Sequence, residues 1–107
     1  MNIFKYFSEK GYKHYTENTI EELDELPLSN HHIITEFAHL CEWLRVNHGI
    51  WTEVLHRGDM GDFTFKICEL DKNNWKKVPH YIHNDGFNSP QETYLTAFDF
   101  IKTNNLI

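Results

Sequence analysis

Apolar positions recur along this chain with two different periods, and the changes of period divide it into elements. From Asn30 to Gly49, Ile33, Phe37, Leu40 and Leu44 recur at helical spacing, and Ile34, Ala38 and Cys41 widen that stripe into a core-facing side. Ser29 or Asn30 supplies the N-terminal cap, Arg45 and His48 put cations in the last turn, and Gly49 offers the left-handed conformation that closes a helix. The period then shortens to two. Ile50 to Arg57 alternates as Ile50, Thr52, Val54 against Trp51, Glu53, Leu55, so that either side could be the buried one. Phe63 to Leu70 carries Phe63, Phe65 and Ile67 on its apolar side, after the hairpin residues Gly58-Asp59-Met60-Gly61-Asp62, and should pair antiparallel with the strand before it. A third strand, Trp75 to His83, follows the polar turn Asp71-Lys72-Asn73-Asn74. Its Pro79 has no N–H to donate and assigns it to an edge. Ser89-Pro90-Gln91-Glu92 then reads as a capping box with proline at the first helical position, opening a helix that turns Tyr94, Leu95, Phe98 and Ile101 inward.

Ahead of this unit, Ile3, Phe4 and Phe7 cluster at helical spacing before Gly11, and Thr19-Ile20-Glu21-Glu22 is a second capping box whose helix ends at Pro27. Helices this short are marginal alone in water. Residues 1–28 are therefore expected as a helical extension docked on a domain of residues 29–107. The fold class expected is α+β: a two-layer αβββα sandwich in which a three-stranded antiparallel meander, in the order 1-2-3, carries both main helices on one face. The other face is left to solvent, to residues 1–28 or to a partner.

Composition narrows the classes of function. A chain of 107 residues fits one domain with a modest core, and aromatic residues at 15% give it large buried area per residue. The formal net charge of −6 argues against general affinity for nucleic-acid backbone, which Lys and Arg dominate. Cys41 and Cys68 stand in apolar segments without C-x-x-C spacing and read as small buried hydrophobes of a reducing compartment. Met1-Asn2-Ile3-Phe4-Lys5 lacks the apolar run of a signal peptide, and no segment is apolar for long enough to span a bilayer, so a cytoplasmic protein without membrane contact is expected.

No catalytic constellation emerges. His31 and His32 are adjacent, His39 is not at i, i+4 from either, and on a strand His80 and His83 point to opposite faces, so no metal site is expected. Asp59 and Asp62 flank a turn without the regular oxygens of a calcium loop. Glu17, Glu21, Glu22, Asp24 and Glu25 form a charged run best read as a solvated helix face, and Cys41 lacks the electropositive surroundings that activate a thiol. Neither an enzyme nor a cofactor is expected. The candidate surface is the uncovered side of the sheet, with Trp51, Arg57, Lys66, Trp75, Tyr81 and His83 as residue types that concentrate binding energy.

The order helix, three strands, helix is also that of double-stranded-RNA-binding domains, but the lysine cluster that opens their second helix is here Ser89-Pro90-Gln91-Glu92-Thr93, so that function does not carry over. The segments Glu42-Trp43-Leu44-Arg45-Val46-Asn47-His48-Gly49-Ile50-Trp51 and Ser89-Pro90-Gln91-Glu92-Thr93-Tyr94, with Ala97-Phe98-Asp99-Phe100-Ile101, resemble signatures of a diffuse group of small uncharacterised proteins encoded by phages of gut bacteria. That resemblance implies a phage accessory protein in the cytoplasm of a bacterial host. With the acidic surface, it suggests a non-enzymatic protein that binds a host protein and blunts a defence system. The alternative is a small-ligand binder that sequesters a nucleotide signal, stacking bases on Trp and Tyr and holding phosphate with Arg45, Arg57, Lys66 or Lys77.

Overall fold

Local signals in the sequence account for where the helices begin and end. The computed structural model describes residues 2–71, 76–82 and 86–107, with backbone alone for Leu70, Asp71 and 76–82. Its elements are α1 (Ile3–Glu9), α2 (Ile20–Glu25), α3 (His31–His48), β1 (Ile50–Arg57), β2 (Asp62–Asp71), β3 (Lys76–Ile82) and α4 (Pro90–Thr103). Asn30 caps α3 by accepting the His32 N–H at 2.9 Å, and Gly49 ends it at φ 66°, a conformation that a side chain would strain. Ser89 Oγ accepts the Glu92 N–H at 3.2 Å at the start of α4. Thr19 and Glu22 complete both halves of their capping box on α2, each bond 3.1 Å long. Asn2 makes no side-chain cap for α1. Its first turn is capped instead from α2, where the Asp24 carboxylate accepts the N–H groups of Phe4 and Lys5 at 2.9 and 3.1 Å.

The fold is α+β. β1 and β2 pair antiparallel in an unbroken register that sets Trp51 opposite Cys68, Glu53 opposite Lys66, Val54 opposite Phe65 and Arg57 opposite Asp62. β3 lies on the far side of β2, giving the order β1-β2-β3; its register slips between Ile67 and Cys68, where Pro79 falls opposite Cys68. Ile50, Phe65 and Ile67 are buried in one cluster with Leu40 and Leu44 of α3 and Phe98 and Ile101 of α4. Each of the buried phenylalanines contributes about 2 kcal/mol by leaving water. Burial of Ile50 and packing of Val54 against that cluster resolve the ambiguity of β1: the Ile50, Thr52, Val54 side faces the helices, and Glu53, Leu55 and Arg57 belong to the opposite side, while Trp51, at the start of the strand, lies against Arg45 of α3. No described helix is long and apolar enough to cross a membrane.

Two expectations about faces need correcting. Ile34 is 48% exposed and Ala38 is exposed, so the flank of α3 read as widening the core is open instead. Glu36 is fully buried, and Trp43 is half-buried and packed on the core, so the opposite flank is the covered one. The cause is the N-terminal extension. Phe4 stacks on Phe37 at 5.9 Å, Phe7 meets Trp43 and Phe98 at 6.3 and 6.1 Å, and Tyr12 meets Trp43 at 5.6 Å. These edge-to-face and stacked pairs set the described part of the extension, residues 2–28, against α3 and α4 and roll α3 toward it. Among the described residues, the aromatic contacts of the extension thus go to the helices.

Candidate functional site

α3 divides the surface chemistry of the molecule, because its two flanks meet different neighbours. On the covered flank both oxygens of the buried Glu36 carboxylate accept hydrogen bonds. Oε2 accepts the Tyr12 hydroxyl at 2.5 Å, while Oε1 accepts the backbone N–H groups of Tyr15 and Thr16 at 2.8 and 2.5 Å. His39 closes the group: its Nδ1 lies 3.2 Å from the Tyr12 hydroxyl, and its ring stacks with Tyr15 at 5.1 Å. Burial first, and then the hydrogen bond to Glu36, raise the Tyr12 hydroxyl far above its ordinary value and keep it a donor. This network is an anchor. Its signal was present in the sequence, since Glu36 stands three residues after Ile33 and four before Leu40 on the apolar stripe itself, and Tyr12 precedes it in a segment with no regular period.

The open flank is apolar and grooved. A cleft of about 210 Å³ between α3 and the first turn of α4 is lined by Ile34, Phe37, Ala38, Pro90, Gln91 and Tyr94. On the other side of Ala38 a second groove of about 220 Å³ runs between α3 and β1, with Cys41, Glu42, Arg45, Trp51 and Thr52 in its walls. Ala38 is common to both, so the grooves flank one continuous strip of α3 from Ile34 to Arg45, about 16 Å long. Arg45 donates to Glu42 at 2.6 Å and lies 5.6 Å from the centre of the Trp51 ring, which fixes the charged end of the strip. Burial pushes the Cys41 thiol up to about 12, so it is a neutral wall group and no nucleophile at neutral pH. Burial, followed by the neighbouring Cys41, also raises Tyr94.

The residues singled out from sequence fall apart into three groups. Trp51 lies against α3 beneath Arg45 and belongs to the open flank. Arg57 and Lys66 sit in rows of alternating charge across the sheet: Arg57 grips Asp62 through Nε and an NH2 group at 2.7 and 2.8 Å, and Lys66 faces Glu53. The Arg57 bond holds the Asp62 carboxyl below its usual range. Tyr81 pairs with Ile67 along the backbone, while Trp75 and His83 lie outside the described residues. Sequence reasoning did not single out Ile34, Ala38 and Tyr94 as surface, because helical spacing makes them indistinguishable from core positions. Among the described residues, no three His, Cys, Asp or Glu side chains come together as metal ligands.

Compared with protein-family models, with curated proteins and with solved structures, the chain matches none. The chemistry open to it therefore rests on its own surface. That surface offers an apolar strip with Tyr94 toward one end, Trp51 toward the other and a guanidinium paired with Glu42.

Proposed function

We propose that this chain is a small non-enzymatic binding protein that engages a host protein through the open flank of α3, with Ile34, Ala38, Cys41, Arg45, Trp51 and Tyr94 as the contact strip. The observation that carries this reading is the exposure of Ile34 and Ala38 on a helix whose opposite flank packs under the N-terminal extension. Apolar residues left outside a well-filled core, beside an apolar cleft, mark an interaction surface. The resemblance to small phage proteins supplies the setting: a phage accessory protein in the bacterial cytoplasm that acts by occupying a site on a host defence protein. In this reading the two-layer αβββα sandwich is the rigid support, and the acidic balance of −6 complements a basic target.

Nucleotide sequestration is the weaker reading. The cleft between α3 and α4 contains no cation, and the one guanidinium in the adjoining groove is neutralised by Glu42. The test places a photo-crosslinking side chain at Ile34 and, in a second protein, at exposed Lys13, and exposes both to lysate of a susceptible host. A discrete host protein captured at Ile34 but not at Lys13, competed away by unlabelled wild-type chain and then bound as a purified protein, supports the proposal. A rise in melting temperature with one nucleotide of a panel, together with no specific capture at Ile34, overturns it in favour of sequestration.

A further inference from the structure

We propose that β1 is a self-complementary edge through which two copies of this chain join their sheets. β1 ends the sheet order, and among the described residues no strand pairs with its outer side. The two edges differ in protection. β3 contains Pro79 and a register slip, both of which obstruct strand addition, whereas β1 pairs without a break from Ile50 to Arg57 and contains no proline. Its outer half is accessible, with Leu55 46% exposed and His56 exposed.

Symmetry restricts how two copies of β1 can meet. An antiparallel pair related by a two-fold axis keeps paired residues on the same face, so only registers that pair odd with odd and even with even positions are allowed. The register centred on Leu55 brings Leu55 against its own copy and Glu53 against Arg57 of the second copy. On each side of that contact the charges already alternate within one chain, Lys66 opposite Glu53 and Arg57 opposite Asp62. Joined, they make a row across four strands that reads Lys66, Glu53, Arg57, Asp62 with the sign changing at every step, and the symmetry repeats the row on the other side of the leucine pair. Opposite charges across strands stabilise pairing, and like charges destabilise it. Shifting the centre to Glu53 would set that carboxylate against its own copy, so the charge pattern itself rejects that register. On the helix side the chosen register sets Val54 beside His56, and both helix layers fall on the same face of the joined sheet.

The test is sedimentation of the wild-type chain from micromolar to millimolar concentration, alongside Leu55→Arg, Glu53→Arg and a four-residue charge swap (Glu53→Lys, Lys66→Glu, Arg57→Glu, Asp62→Arg), each checked for native circular dichroism. The wild type should dimerise, and each single variant should raise the dissociation constant about tenfold or more, since Glu53→Arg replaces two attractive contacts by two repulsive ones and Leu55→Arg sets two like charges against each other on the two-fold axis. The swapped chain should dimerise with itself and not mix with the wild type. A wild type that is monomeric at millimolar concentration, or a dimer indifferent to Leu55→Arg and Glu53→Arg, overturns the proposal. Both single substitutions are on the sheet face away from the α3 strip, so their effect is separable from loss of host-protein capture at Ile34.

Discussion

The two flanks of α3 carry similar residue types in sequence and opposite fates in structure. One flank presents Glu36, His39 and Trp43 and is closed by the N-terminal extension; the other presents Ile34, Ala38 and Arg45 and is left open. The closed flank hides the more polar residues and the open flank shows the more apolar ones, the reverse of what hydrophobicity alone would arrange. Hydrogen bonding explains the inversion. A buried carboxylate is tolerable where both its oxygens find donors, and the backbone at Tyr15 and Thr16 supplies donors that a flank facing water would not need. Once Glu36 fixes which way α3 rolls, Ile34 and Ala38 have nowhere to go but outward.

The comparison breaks most severely at Glu36. Glu36→Leu strands two backbone N–H groups and leaves the Tyr12 hydroxyl with His39 alone, and it should lower stability by about 3–5 kcal/mol in urea unfolding. A smaller loss, about 2 kcal/mol, is expected for Tyr12→Phe, which leaves one oxygen of a buried carboxylate without its donor. If either variant is within error of wild type, the extension is held by its aromatic contacts alone.

Alkaline pH probes the floor of the open flank. The folded chain holds the Cys41 proton more tightly than the unfolded chain, whose thiol keeps its ordinary value of 9.0. Stability is therefore full below pH 9.0 and falls as pH rises toward about 12, by up to about 1.4 kcal/mol per pH unit from this group. Tyr12, also raised, steepens the fall above pH 10.0. Urea midpoints measured across that range should decline less steeply for Cys41→Ala; identical slopes would mean that the thiol reaches water. The smallest effect belongs to the exposed end of the strip. Ile34→Ser should change stability by less than about 0.5 kcal/mol while abolishing capture of the host protein, a separation of fold from binding that Glu36→Leu cannot show.

Caps and turns were legible because they are local. Asn30, Gly49, Thr19 with Glu22, and Ser89 each act within a few residues of themselves, and each performs the role its type predicts. The antiparallel pairing of β1 with β2 was legible for the same reason, through the hairpin residues between them. The roll of α3 was not, since Ile33, Phe37, Leu40 and Leu44 leave both neighbouring flanks equally plausible until a distant segment chooses one. That choice is made across sequence separations of 20 to 27 residues by Tyr12, Tyr15 and Thr16. Of the residues expected on the far side of the sheet, Trp51 lies against α3, and Arg57 forms an ion pair with Asp62 across the hairpin.

Amide hydrogen exchange at Tyr15 and Thr16, followed by NMR on the intact chain, tests the anchoring of the extension most directly. If Glu36 pins the segment as described, both amides exchange with free energies close to that of global unfolding, although Tyr15 itself is 68% exposed, and both lose protection in Glu36→Leu. Exchange of those two amides at the rate of an unstructured loop in the wild-type protein would contradict the account.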